Sequence, residues 1–127
     1  MTTYLAGGIN GLTDDQATTW RAQARALLNG DVLDPMARDY RGHEDANVTA
    51  IVEGDLADIA QCDAILAWCP RPSWGTAMEI HHAHTRGLPV IAVVPPGVPV
   101  SPWLRYHTTA VVHTVADAVT AIREMTA

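Results

Sequence analysis

The apolar run Ala64-Ile65-Leu66-Ala67-Trp68, followed by Pro72-Ser73-Trp74-Gly75-Thr76-Ala77-Met78-Glu79-Ile80, decides how this chain is read. A run of strand length gives way to a short polar turn with Gly, then to a segment of helical period. Open α/β domains place reactive groups in this way at the carboxyl edge of their sheet. The spacing puts Glu79 in the first turn of the helix and makes it the leading candidate for a reactive carboxylate.

Working outward, Tyr4-Leu5-Ala6 reads as a short buried strand and Gly7-Gly8-Ile9-Asn10-Gly11 as the turn after it. Thr13-Asp14-Asp15-Gln16 is a capping box, in which Thr13 accepts from a first-turn amide and Gln16 reaches back. The helix it opens carries Ala17, Trp20, Ala24, Leu27 and Leu28 on one face, and Asn29-Gly30 ends it. Val32-Leu33 is a second strand, closed by Asp34-Pro35 and followed by the polar loop 38–42. A second helix runs from about Asn47 to Gln61. After the helix carrying Glu79 comes the strand Val90 to Val94, then a proline-rich loop (Pro95, Pro96, Pro99, Pro102). The short apolar segment Ala110-Val111-Val112 precedes a last helix, capped at Thr114 and carrying Val115, Val119 and Ile122.

Strands alternating with helices through short loops form a βαβ series, and right-handed crossovers make the sheet parallel with helices on both faces. The expected fold is α/β, a Rossmann- or flavodoxin-like three-layer sandwich of about five strands, in a single domain over residues 1–127. Its ligand edge collects the 7–11 loop, the 34–42 loop, the 70–76 turn and the 95–102 loop.

Composition narrows the function. The chain is 48% hydrophobic and 17% charged, with a net charge of −6 and no run among its eight Lys and Arg, which disfavours a polyanion partner. Apolar runs such as Val90–Val94 are far too short to span a bilayer. No basic segment followed by an apolar one opens the sequence, so no export signal is expected. Cys62 and Cys69 flank one strand without the spacing of a redox or zinc pair. They read as packing residues of a reduced, cytoplasmic protein.

Asp55 is the second anomaly. At ~100° per residue, Val48, Ile51, Val52, Leu56 and Ile59 form one apolar stripe, and Asp55 falls near its middle. A carboxylate on a buried face must be paired, hydrogen-bonded or protonated. It is either a structural acceptor of backbone amides or an acid/base group facing a ligand cleft. Asp58, at the border of the stripe, reads as a solvated charge. Glu79 also has two readings, because Thr76-Ala77-Met78-Glu79 is itself a capping box. At a helix start the dipole favours the ionised carboxylate, the state a nucleophile needs.

The glycines at 7, 8 and 11 let a ligand approach the backbone, and amides at the helix start can hold an anion; a tight turn alone explains them equally well. The loop does not match the dinucleotide fingerprint GxGxxG. Of the histidines in Glu79-Ile80-His81-His82-Ala83-His84, only His82 shares a face with Glu79. There is no HExxH spacing, so neither a metal nor another cofactor is expected.

Together these segments resemble the nucleoside 2-deoxyribosyltransferase family, including relatives that hydrolyse the glycosidic bond of deoxynucleoside monophosphates. The matching residues are Tyr4-Leu5-Ala6-Gly7-Gly8, Asp34-Pro35, Asp55-Leu56 with Asp63, and Ser73-x-Gly75-Thr76-x-x-Glu79, followed by Ala83 and Gly87-Leu88-Pro89-Val90. The resemblance implies that Glu79 attacks C1′ of a deoxyribose and that Asp55 contacts or protonates the departing base. It makes Tyr4 the residue that orients the nucleophile. It also implies substrate contacts from Gly7, Gly8, Asn10, Ser73 and Gly75, and a homodimer or larger homo-oligomer in which Ser101 reaches a neighbouring subunit's site. The partner implied is a small nucleoside or nucleotide, with no nucleic acid polymer and no membrane.

Departures refine the expectation. Six residues before the nucleophile, classical transferases of this family carry Asp; Ser73 stands here, as in the nucleotide-hydrolysing relatives. Those relatives grip a 5′-phosphate with a polar and a basic residue where this chain has Gly8 and Asn10. Arg38, Arg41 and Arg105 are the candidates to replace that basic group. Transfer of the sugar to another base is the expected reaction, with hydrolysis and a non-catalytic nucleotide-binding module as alternatives.

Overall fold

The computed structural model describes residues 1–126, so Ala127 of the expected 1–127 span lies outside it. Chain order is β1 (Thr2–Gly7), α1 (Asp14–Leu28), β2 (Asp31–Leu33), two single 3₁₀ turns (Pro35–Arg38 and Glu44–Ala46), α2 (Val48–Ala60), β3 (Ala64–Trp68), α3 (Trp74–Thr85), β4 (Val90–Val93), α4 (Pro102–His107), β5 (Ala110–Val112) and α5 (Val115–Thr126). The five strands form one parallel sheet in the order β2-β1-β3-β4-β5. This is the flavodoxin-like order, whose topological switch point lies between β1 and β3.

Strand alternation divides the core into two layers. Leu5, Leu66, Ile91 and Val93 face one side, where Trp20 and Ala24 of α1 pack with Val115, Ala118, Val119 and Ile122 of α5. Tyr4, Ala6, Ile65, Ala67 and Val90 face the other side, against Ile59 of α2, Cys62, and Ile80 and Ala83 of α3. Both helical layers cover the sheet, as the βαβ pattern requires. Burial raises the Cys62 thiol to about 11 and the Cys69 thiol to about 12, so both behave as packing groups rather than nucleophiles.

The caps read from sequence form where the side-chain chemistry calls for them. Thr13 Oγ1 accepts from Gln16 N at 3.2 Å, and the Gln16 side chain accepts from Thr13 N at 3.1 Å. Asn29, at φ 49°, ends α1 in the left-handed conformation that Asn tolerates. Thr114 Oγ1 accepts from Asp117 N at 3.0 Å.

Two expectations are corrected. The 95–102 loop leads into α4, a helix that the proline count concealed. Pro102 occupies its first turn, where a missing N–H is harmless, and Ser101 caps it by accepting from Trp103 N. The apolar stripe of α2 is only partly covered: Ile59 is fully buried, but Val48 and Val52 are 59% and 50% exposed. The helix packs on the sheet through its C-terminal half, where Leu56 and Ile59 join the core beside Cys62.

Ile59→Ala should therefore cost about 2–5 kcal/mol of unfolding free energy, the range for a truncated core aliphatic. Val52→Ala, on the same stripe, should change it by about 0.5 kcal/mol or less. Urea unfolding of both variants checks the pair.

Candidate active site

Tyr4 lies in the middle of β1 and points into the α3 layer. Its hydroxyl donates to Oε2 of Glu79, and both residues are buried. The α3 segment brings the carboxylate there because the helix starts earlier than the sequence suggests. Ser73 is its N-cap and Trp74 its first residue, so Glu79 falls in the second turn rather than the first. The capping-box reading of Glu79 is not realised, since Thr76 donates its hydroxyl to Ser73 Oγ at 3.2 Å instead. Turned inward beside Ile80, Glu79 is 8% exposed.

That position changes its protonation. Burial pushes Glu79 up to about 8; the Tyr4 hydrogen bond opposes the rise, the Asp55 charge adds to it, and the Arg21 charge works against it. The expectation of a dipole-favoured carboxylate at a helix start is corrected accordingly: desolvation inside the second turn outweighs the helix dipole. Tyr4 is raised well above the ordinary phenol value, by burial first and then by the charges of Glu79 and Asp55.

Asp55 is half-buried and paired. Arg38 Nη2 lies 3.3 Å from Asp55 Oδ1 and 2.8 Å from Asp58 Oδ2, so Asp58 is an ion-pair partner rather than the solvated charge expected. Burial raises the Asp55 carboxyl, while the hydrogen bond and charge of Arg38 pull it back. The Arg38 guanidinium lies across α2 at Gly54, where a Cβ would meet its Nε at 3.1 Å. Arg38 is thus occupied by two carboxylates, and Arg41 by Asp14 and Asp39 at 2.7 Å each. Arg105 is exposed on α4.

Arg21 is the residue that the sequence analysis missed. It is 2% exposed in an apolar helix face. Its guanidinium donates to Leu5 O at 3.0 Å, to Gly7 O at 2.9 Å and to Asp34 Oδ1 at 2.7 Å, while Nε donates to Ala17 O at 2.8 Å. Burial lowers its proton affinity and Asp34 supports it. The signal was present in the spacing Ala17, Arg21, Ala24, which puts the arginine on the same buried stripe.

The first loop and the α3 turn meet at the switch point. A Cβ on Gly8 would lie 3.9 Å from Ser73 Oγ, and one on Gly7 would strike the Trp20 ring at 2.4 Å. Glycine at position 7 is a packing necessity. Asn10 and Gly75 are exposed. Two hollows of about 490 and 510 Å³ open at the surface, one between α3 and α4 with Ser73, Thr76 and Ser101, the other against α1 with Gly8, Trp20 and Trp68. Ser73 and Arg71 line both, whereas Tyr4, Asp55 and Glu79 line neither. The structure therefore joins Tyr4 to Glu79, and the charge of Asp55 raises the proton affinity of both. It sets Gly8 against Ser73 and leaves Ser101 on the far side of the α3–α4 hollow. Among the described residues no cluster of three or more His, Cys, Asp or Glu is arranged to hold a metal. His81 and His84 pack instead with His107 of α4.

Comparison with known proteins adds lineage to this geometry. The nucleoside 2-deoxyribosyltransferase family profile matches residues 3–118. The chain belongs to this family. A curated relative, the 5-hydroxymethyl-dUMP N-hydrolase of Mus musculus, is 33% identical over 98 residues; the alignment takes in 73% of this chain and 57% of that protein. The chain thus spans little more than half the length of that relative. Among solved structures, a 2-deoxyribosyltransferase from Bacillus psychrosaccharolyticus superposes with a TM-score of 0.76 at 19% identity, covering 94% of this chain and 90% of that one. A conserved protein from Enterococcus faecalis V583 gives 0.75 at 17% identity, covering 98% of both. These two likenesses establish a shared fold. Among the described residues, no helix is long and apolar enough to cross a membrane.

The raised carboxyl of Glu79 makes stability depend on pH. Between the ordinary value of 4.5 and about 8, the folded chain holds a proton that the unfolded chain has lost. Stability should accordingly fall as pH rises through that window. Glu79→Gln should remove that slope and be the more stable protein at pH 8, by a margin on the order of a few kcal/mol. Thermal melts of both proteins from pH 5 to 8.5 check this.

Proposed function

We propose that this chain cleaves the N-glycosidic bond of a 2′-deoxynucleoside, or of its 5′-monophosphate, through a covalent deoxyribosyl ester on Glu79, and passes the sugar to another base. The observation that carries the proposal is the buried Tyr4–Glu79 hydrogen bond, with Asp55 close enough for its charge to act on both. A glutamate that only capped its helix would have no tyrosine partner inside the core.

In the first half-reaction, a Glu79 oxygen bonds to C1′ as the C1′–N bond breaks, and the electron pair leaves with the base. Tyr4 donates to Oε2, which leaves Oε1 as the attacking oxygen. Asp55 supplies a proton or hydrogen bond to the departing base, which leaves more easily once its negative charge is neutralised. In the second half, the nitrogen of an incoming base attacks C1′ and Glu79 departs as a carboxylate. The attacking base gives up a proton to Asp55. Two carboxylates in different surroundings divide the acid and nucleophile tasks, as in glycosidases generally.

Gly7, Gly8, Asn10, Ser73 and Gly75 form the sugar side of this site. Ser101, at the start of α4, is assigned to the site of a neighbouring copy in a cytoplasmic homodimer or larger assembly. A second reading, with water in place of the acceptor base, is favoured by Ser73 and by the similarity to the mouse N-hydrolase. The ratio of free deoxyribose to new nucleoside, measured with an excess of a second base, separates the two.

Base release from a panel of deoxynucleosides and monophosphates, followed by chromatography, tests the core of the proposal. Glu79→Gln should lower it by about three orders of magnitude or more, and Asp55→Asn by about a hundredfold, with the fold retained. In Asp55→Asn, where no second acid titrates, the residual kcat/KM should climb as pH rises from 6 towards the range near 8 in which Glu79 ionises. An active Glu79→Gln variant contradicts the covalent mechanism. A wild type that is stabilised by a nucleotide yet releases no base is a binding module.

A further inference from the structure

We propose that Arg71 selects a phosphorylated substrate: on the ridge shared by the two hollows, it and the Ser73 hydroxyl take the 5′-phosphate of a deoxynucleoside monophosphate. The inference rests on the glycosidic reading above and narrows its substrate class. The sequence has no lysine, so all eight of its basic side chains are arginines. Five of them are engaged. Arg21 holds Leu5 O, Gly7 O and Asp34, and Arg25 also reaches Asp34. Arg38 bridges Asp55 and Asp58, Arg41 pairs with Asp14 and Asp39, and Arg123 donates to the Leu27 carbonyl. Arg86 follows the last turn of α3, at the edge of the sheet opposite the ligand loops. Arg105 borders neither hollow.

Arg71 remains. It is exposed in the turn between β3 and α3, and among the described residues its guanidinium makes no hydrogen bond and no ion pair. An exposed loop arginine is ordinarily no more than a solvated charge. Its neighbour sets this one apart. Arg71 and Ser73 are the two residues that line both hollows. Ser73 Oγ accepts from Thr76, and among the described residues its own proton has no acceptor. Gly8 faces Ser73 without a side chain, which leaves the hydroxyl open from the β1 side.

The ridge therefore presents a free hydroxyl donor and a free guanidinium fork, a pair suited to phosphate oxygens. The hollow between α3 and α4 has no carboxylate in its wall. Asp15 lines the other hollow, and it is not paired with Arg71. A dianion on the α3–α4 side of the ridge thus meets donors and no opposing charge. Ser73 precedes Glu79 by six residues, about 9 Å along the axis of α3 at 1.5 Å per residue. That is the scale of a deoxyribose with its 5′-phosphate, so one substrate can present C1′ to Glu79 and its phosphate to the ridge.

Binding, read apart from turnover, is the test. The four common deoxynucleosides, their 5′-monophosphates and inorganic phosphate are titrated calorimetrically into Glu79→Gln, in which the chemistry is blocked. Each monophosphate should bind more tightly than its parent nucleoside. Adding Arg71→Gln should weaken the monophosphates by about ten- to a hundredfold, the range for a lost charge-assisted hydrogen bond, and leave the nucleosides unchanged. Arg71→Lys, which keeps the charge but not the fork, should fall in between. Arg86→Gln removes the same charge at the far end of α3 and should change neither set. Monophosphate affinities untouched by Arg71→Gln, weakened together with the nucleosides, or weakened equally by Arg86→Gln overturn the proposal. Monophosphates no tighter than nucleosides overturn it too, and saturable inorganic phosphate binding would then mark a site for the free anion alone. If the affinities split as expected yet wild type releases no base, the phosphate site stands and the glycosidic reading fails. Base release with the same kcat/KM for nucleosides and monophosphates, in wild type and Arg71→Gln alike, keeps the glycosidic reading and ends this one.

Discussion

A carboxyl group buried against the central strand is the constraint around which this molecule is arranged. Glu79 sits inside the α3 layer with the Tyr4 hydroxyl as its donor. Removing a carboxylate from water costs several kcal/mol unless protons or partners compensate. The chain compensates in two ways: one hydrogen bond from β1, and a proton affinity raised until the neutral form prevails up to about pH 8. Both depend on tight docking of α3, which Ile80 and Ala83 provide by packing on Tyr4, Ala6, Ile65 and Val90. Parallel pairing of β1 with β3 then brings the Gly7-Gly8 turn and the turn before α3 to the same edge.

Two arginines hold acidic groups elsewhere in the fold. Arg21 binds Asp34 beneath the end of β1, and Arg38 bridges Asp55 and Asp58 across α2. Each neutralises acidic groups that would otherwise crowd a sheet edge already rich in carboxylates. Each is also held by more than one partner, so the cations keep fixed positions relative to the carboxyls they influence.

Much of the fold was legible because the local signals agree with one another. Capping chemistry at Thr13 and Thr114, strand-length apolar runs and short connections all point to the same parallel sheet. Tyr4 and Glu79 were named as candidates, and the resemblance implied that Tyr4 orients the carboxylate; residue spacing alone did not show the contact that the structure has. The register that joins them depends on where α3 begins, and Ser73 rather than Thr76 proves to be the N-cap. Asp55 was flagged by its place on an apolar stripe, although half of that stripe is exposed and the charge is paired. Arg21 carried the same signal in α1 and passed unnoticed, because an arginine in a helix reads as surface. Its partners are carbonyls of a strand that outruns its neighbour, and no residue pattern reveals that mismatch. α4 was hidden by its prolines, one of which is a favoured first-turn residue.

Membership in the nucleoside 2-deoxyribosyltransferase family and the geometry at Glu79 meet in a single chemical claim: the sugar is held on this side chain between two half-reactions. The most direct test is to mix the wild-type protein with a deoxynucleoside or its monophosphate, quench with acid within the first turnover, and map the peptides by mass spectrometry. The account predicts one added deoxyribosyl unit on the peptide carrying Glu79, absent when the reaction is quenched after substrate is exhausted. Free base appearing at full rate with no adduct on that peptide, or with the sugar on another side chain, contradicts it.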